Sequence, residues 1–144
     1  MIEHDTIELF RECDAGIQMG ISAIDEVKDH VTDAEFAQKL DGYQREYAAL
    51  QNEIEGILHS YQDEGKSPDP IAKVMAWLKT HIMMAVKDTD EEVADLITDG
   101  CNMGIKSLNK YLNQYAAADE RAKDMTCRLI ELQERQRKGM QQYL

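Results

Sequence analysis

Residues 16–25 read GIQMGISAID, and residues 100–109 read GCNMGIKSLN. Glycine, methionine, glycine and isoleucine recur in the same order, and most of the other paired positions are conservative. A weaker echo aligns Tyr47, in the second predicted helix, with Leu132 in the last. Chance resemblance is the alternative, because helical patterning by itself produces periodic matches. We interpret the match as an internal repeat, which predicts a chain made of two similar helical hairpins.

Apolar residues are spaced by three and four along nearly the whole chain, as in amphipathic helices. Both prolines lie in GKSPDP, residues 65–70, so the strongest helix breaker interrupts the chain in one place. We expect one all-α domain over 1–144, with hairpins over about 5–64 and about 89–144. Two hairpins joined by a long crossover are the wiring of a ferritin-like four-helix bundle. The crossover, about 65–88, is expected to hold a short fifth helix between helices 2 and 3.

Capping residues mark the expected helix starts. A Ser, Thr, Asp or Asn side chain can accept a hydrogen bond from a free backbone N–H in the first helical turn, and a Glu three residues later completes a capping box. The signals are Asp5 with Glu8, Thr32 with Glu35, Thr89 with Glu92, and Asp119. Because Thr32 and Glu35 directly follow the end of the first predicted helix, they predict a very tight turn between the first two helices.

The repeat contains two pairs of glycines, four residues apart in each copy: Gly16, Gly20, Gly100 and Gly104. A glycine inside a helix costs about 1 kcal/mol relative to alanine, so small size must be required at these places. We expect the rings of Tyr43 and Tyr47 to pack against the first pair. We interpret the glycines as sites of close packing that leave no room for a reactive centre, rather than as the lining of a ligand cleft.

The composition excludes several classes of function. The 144 residues include 16 Lys and Arg against 28 Asp and Glu, a net charge of −12. Phosphate-binding surfaces must be basic, so neither nucleic acid nor an anionic membrane is an expected partner. The three cysteines form no CxxC pair, and the N-terminus lacks an apolar signal core, so we expect reduced thiols and a cytoplasmic location.

A metal site is the main chemical question that a bundle of this wiring raises. Di-metal bundles use ExxH motifs, and the sequence has none. A reduced carboxylate site in the bundle core is the alternative to hydrated acids beside the core. Its predicted ligands, for iron, manganese or zinc, are Asp14, Glu46, Glu53 and Glu131. No other cofactor is expected, and the scattered histidines suggest no catalytic constellation.

The crossover is unusually rich in methionine and aromatic residues on more than one side of its predicted helix. Met-rich surfaces are adaptable contact surfaces. We therefore expect part of this helix to form a homodimer interface, through Met75, Trp77, Met83 and Met84.

The order of features resembles a known group of proteins. A paired-helix start, a proline-marked break, a Trp-containing short helix (IAKVMAWLKTHIMMAVKDTDEE) and a DG-bearing helix (ADLITDGCNMGIKSLNKYL) resemble the ferritin-like four-helix-bundle families of uncharacterised bacterial proteins. In metal-binding relatives the helix after such a DG pair carries a glutamate. Here Cys101 follows Asp99-Gly100, and Ile17 stands at the repeat-equivalent place. The resemblance therefore implies a bacterial bundle that has lost the di-metal ligand motifs.

Taken together, the sequence predicts a non-enzymatic cytoplasmic bundle that acts through protein contacts as a homo-oligomer. The alternative function is a ferritin-like metal-binding protein that uses the reduced carboxylate site. Metal content distinguishes the two.

Overall fold

The computed structural model describes residues 2–61, 76 and 89–144. Within these residues it has four long helices and no strand, which confirms the all-α prediction. The helices are α1 (Ile2–Val27), α2 (Ala34–Ser60), α3 (Asp90–Gln114) and α4 (Glu120–Met140), with short 3-10 turns at Lys28–His30 and Gln141–Tyr143. The predicted crossover helix lies, apart from Ala76, outside the described residues.

Two predicted helix starts are confirmed. The Thr89 hydroxyl accepts a hydrogen bond from the Glu92 N–H, and the Asp119 carboxylate accepts one from the Ala122 N–H at 2.9 Å. These side chains satisfy backbone donors that the first turns of α3 and α4 leave free.

The other two predicted starts are wrong. Asp33, not Thr32, caps α2, through a 2.9 Å hydrogen bond from the Phe36 N–H. The first helix is already formed at Ile2, so Asp5 lies inside it, and its carboxylate accepts a hydrogen bond from the Ala117 N–H instead. In both cases a contact with a distant helix or loop engages the side chain that local spacing assigned to a cap.

Hydrogen bonds between helix ends establish the directions of the helices. The Asp90 carboxylate, at the start of α3, binds Thr32 beside the start of α2. The Thr6 hydroxyl, near the start of α1, accepts from the Asp119 N–H at the start of α4. Helices α2 and α3 therefore run in one direction, and α1 and α4 in the other. The end of α2 and the beginning of α3 lie at opposite ends of the bundle.

The core lies between the four helices and is closed most tightly within each hairpin. Helix α1 packs mainly on α2 and α3 mainly on α4, while α1 also contacts both helices of the second hairpin. The largest fully buried side chains include Phe10, Phe36, Tyr47 and Met125. Among the described helices, none combines the length and apolar character that crossing a bilayer requires.

Candidate functional site

An apolar groove of about 480 Å³ lies between α1 and α3, on the side where the two hairpins meet. Its volume falls within the range of about 300–1,000 Å³ that is typical of small-molecule sites. We call it the α1–α3 groove. Its described lining residues are Glu12, Gly16, Met19, Gly20, Ala23, Val27, Tyr47, Leu96, Ile97, Gly100, Cys101, Met103, Gly104, Ser107, Leu108, Tyr111, Gln133 and Gln136.

All four glycines of the repeat line this groove. Close packing explains two of them. A Cβ atom added at Gly20 would lie 2.8 Å from the Tyr47 ring, and one added at Gly104 would collide with the Gln133 amide. A Cβ atom at Gly100, by contrast, would meet nothing within 4 Å. The glycines therefore allow close contacts towards α2 and α4 while leaving space between α1 and α3.

This arrangement corrects the interpretation that the glycines serve close packing alone. Of the two rings expected against the first glycine pair, Tyr47 is present there, at Gly20. Tyr43 instead reaches α4, where its hydroxyl donates to the Arg135 carbonyl and lies against Gly139. The glycines of the two repeat copies lie on the two sides of one groove. This groove exists only because the two hairpins pack together, so neither hairpin contains it alone.

Three polar side chains of the groove, Tyr47, Gln133 and Gln136, lie on the wall formed by α2 and α4. The Tyr47 hydroxyl donates a 2.7 Å hydrogen bond to Oε1 of Gln136. Burial raises the pKa of Tyr47, so its phenol stays neutral and remains a donor. One turn earlier on α4, Gln133 is only 6% exposed, and its Oε1 accepts no hydrogen bond.

The charge of the groove does not favour anions. Glu12 is its one ionisable carboxylate among the described lining residues, and none of those residues is Lys, Arg or His. Glu12 is hydrogen-bonded to Tyr111, whose pKa is raised first by burial and further by this carboxylate. An anionic ligand would meet the field of Glu12 without a compensating cation.

The thiol of Cys101, which lines the groove, is unreactive near neutral pH. Burial raises the pKa of Cys101 to about 12, against an opposing effect of Arg137. Burial likewise raises the pKa of Cys13 to about 12, against the hydrogen bond with Thr126. Because the thiolate is the nucleophile, both cysteines are poor nucleophiles near neutral pH.

The predicted metal ligands occupy different environments. Asp14 is buried, and its Oδ2 accepts a 2.8 Å hydrogen bond from Gln18. Glu46 is bound by Arg135 at 2.9 Å, and Glu53 by both terminal nitrogens of Arg128 at 3.0 Å. Glu131 is exposed.

These four acids are not gathered into one centre. In residues 2–61, 76 and 89–144, no three His, Cys, Asp or Glu side chains are placed to hold one metal ion. The two pairings with arginine place Glu46 and Glu53 on the outer seam between α2 and α4. The predicted interface residues Met75, Trp77, Met83 and Met84 lie outside the described residues.

The sequence did not predict that Gln133 and Gln136 would line the groove beside Tyr47. Gln133 and Gln136 lie on α4, which is strongly polar, and glutamine there gives no signal of burial. Their spacing of three, together with Leu129 and Leu132 on the buried face, was the available sign that the two glutamines are buried.

Comparisons of the chain with protein-family models, with curated proteins and with solved structures found no match.

Proposed function

We propose that this protein is a non-catalytic, ferritin-like bundle whose working part is the α1–α3 groove, where it binds a small, uncharged, apolar molecule. The observation that carries the proposal is a groove of ligand size with apolar walls and a few polar groups placed together. Helices α2 and α3 run in the same direction, so a long connection must return the chain from the end of α2 to the other end of the bundle. This supports the ferritin-like wiring, because such bundles have one long crossover connection. The bacterial source implied by the sequence resemblance belongs to the same proposal.

The chemistry of the groove supports binding over catalysis. Its thiol has a pKa raised to about 12, its tyrosines have raised pKa values, and its carboxylate is hydrogen-bonded. The exposed rim helps a ligand to enter, since Met103 on α3 is 62% exposed. Methionine adapts its shape readily, so such a rim suits a flexible apolar ligand.

A neutral fluorescent probe tests the proposal. N-phenyl-1-naphthylamine brightens in apolar surroundings, and we expect the wild-type protein to bind one probe per chain. Gly100→Leu should abolish binding, because the new side chain enters open space in the groove. Gly56→Leu is the matched control. A Cβ at Gly56 also meets nothing within 4 Å, and this residue is outside the groove.

The outcomes are distinct because both substitutions replace an exposed helical glycine with a good helix former. Neither should unfold the protein, and circular dichroism checks this. Loss of probe binding in Gly100→Leu but not in Gly56→Leu supports the groove as the site. No binding to the wild type, or equal binding by the two variants, refutes the proposal.

We also propose that the protein is cytoplasmic and self-associates. The three free cysteines, two of them buried, support a reducing compartment. Self-association and the expected role in protein contacts depend on the Met-rich sequence around Trp77, outside the described residues. Trp77→Asp should lower the mass in solution from dimer to monomer. An unchanged mass, measured by light scattering, would contradict the proposed interface.

A further inference from the structure

We propose that the ligand of the α1–α3 groove carries an uncharged hydrogen-bond donor, such as a hydroxyl or an amide N–H, and that Gln133 is the residue that accepts it. This inference rests on the proposed function and narrows the class of ligand. The ligand would be a neutral amphipathic molecule: an apolar body along the glycine-lined walls, with its donor beside α4.

Gln133 is a polar side chain in an unfavourable place for a purely structural role. It lines the groove, is 94% buried, and its Oε1 is closed to solvent without any hydrogen bond. A buried acceptor left unpaired costs free energy, and a leucine or methionine would fill the same helical position at no such cost. A ligand donor would remove this cost when it binds.

Tyr47 and Gly104, two neighbours of Gln133, supply no donor to its Oε1. The Tyr47 hydroxyl donates to Gln136 at 2.7 Å. On the opposite side the amide lies against Gly104, which offers a Cα and no polar side chain. The terminal torsion of glutamine is soft, so the amide adjusts readily to a ligand donor. The Oε1 atom occupies the space that a Cβ at Gly104 would fill.

The surroundings favour a neutral donor over a charged one. An anionic head group would face Glu12 with no Lys, Arg or His among the described lining residues. A buried ammonium would need an ionic partner, and the carboxylate of Glu12, the one among the described lining residues, is hydrogen-bonded to Tyr111. A hydroxyl or amide N–H donates a hydrogen bond to Oε1 of Gln133 without bringing a charge into the groove.

Isomeric ligands provide the test. Decan-1-ol and methyl nonyl ether have the same atoms and similar length, but only the alcohol is a donor. Each is used to displace N-phenyl-1-naphthylamine from the wild-type protein, alongside decanoate and decylammonium. We expect the alcohol to bind about tenfold more tightly than the ether, the size of one buried neutral hydrogen bond. Both ions should bind more weakly than the alcohol.

Variants of Gln133 identify the acceptor. Gln133→Met keeps the approximate shape of the side chain and removes the amide, so the tenfold preference for the alcohol over the ether should disappear. Gln38→Met, at an exposed position of α2, is the matched control and should keep the preference. Urea unfolding of Gln133→Met should show equal or greater stability, which separates the loss from misfolding.

The results distinguish this inference from the function on which it rests. If the alcohol and the ether bind equally to the wild type, or if Gln133→Met keeps the alcohol preference, the inference is wrong although the groove still binds ligands. Binding of either ion as tight as that of the alcohol also overturns it. If neither the probe nor the two isomers bind, the proposed function fails as well.

Discussion

The carboxylate of Asp90 accepts hydrogen bonds from both the backbone N–H and the hydroxyl of Thr32, at 2.8 and 3.1 Å. Its Oδ2 also accepts from the N–H of Asp33, the residue that caps α2. One side chain in the first turn of α3 therefore binds the turn between α1 and α2. This contact joins the two hairpins at one end of the bundle, next to the α1–α3 groove formed along the same pair of helices.

Asp90→Ala should lower the free energy of unfolding by about 1 kcal/mol, because three hydrogen bonds to a half-buried carboxylate are lost. The measurement is urea denaturation followed by circular dichroism. Glu91→Ala is the matched control, since it removes one negative charge from the same helical turn. Equal losses in the two variants would show that Asp90 acts only on the helix dipole.

Gly20→Ala should destabilise the protein by about 1–3 kcal/mol, because the added methyl group would lie 2.8 Å from the buried Tyr47 ring. Gly100→Ala, at the matching glycine pair of α3, should stabilise it by up to about 1 kcal/mol through helix propensity. Thermal unfolding of the two variants gives the comparison. A stabilising effect of Gly20→Ala would contradict the close packing of the Tyr47 ring on Gly20.

Glu53 should make a pH-dependent contribution to stability. The hydrogen bond from Arg128 holds the pKa of this carboxyl below its usual value of 4.5, against a small opposing effect of burial. A lowered folded-state pKa means that the stabilisation is present above pH 4.5 and is lost as the pH falls through the folded-state pKa. Both partners are more than 40% exposed, so the contribution is small, at most about 0.5 kcal/mol.

Glu53→Gln should therefore be less stable than the wild type at pH 7, and this difference should shrink when the pH is lowered to 3. Unfolding in urea at both values measures this difference. Glu55→Gln, at an exposed position of the same helix, controls for the loss of a charge. A difference that grows as the pH falls would have the wrong sign for a lowered pKa.

Cysteine reactivity should differ sharply along the chain. Cys127 is exposed, while Cys13 and Cys101 are buried with pKa values raised from 9.0 to about 12. At neutral pH, this rise in the pKa lowers the fraction of each buried thiol that is ionised by about a thousandfold. Ellman's reagent should therefore modify one thiol per native chain rapidly and the other two only in denaturant. Rapid reaction that persists in Cys127→Ser would contradict the burial of the others.

Metal content tests the alternative function that the sequence predicted. We expect protein purified without a chelator to hold well under one ion of iron, manganese or zinc per chain, because Glu46 and Glu53 are bound by arginines. Elemental analysis by mass spectrometry provides the measurement. Stoichiometric metal that disappears in the Glu46→Ala, Glu131→Ala double variant would favour the carboxylate site over this expectation.

Local patterns predicted most of the fold. Apolar spacing placed all four described helices, and Thr89 and Asp119 are the caps that their sequence neighbours indicated. Thr32 was assigned wrongly because it has the right spacing for a cap but finds a partner 58 residues away. Long-range hydrogen bonds of this kind leave no local signal.

The groove was harder to predict than the fold, because it is formed by parts of the chain that are far apart in sequence. The repeat drew attention to the four glycines, and a tyrosine ring does pack on the first pair, although it is Tyr47 rather than Tyr43 that lies at Gly20. Their role as the walls of one groove was missed, since it requires the position of α3 relative to α1. Gln133 gave no signal because a glutamine on a polar helix is ordinarily exposed.

The amino-acid sequence by itself determined where the helices form and which of their faces are apolar, because both follow from interactions between residues three or four apart. Only the tertiary structure decided that small residues of two separate copies would enclose an open space and that a glutamine would be buried beside it. The shape of such a space depends on the packing of whole helices against one another, to which every element of the chain contributes.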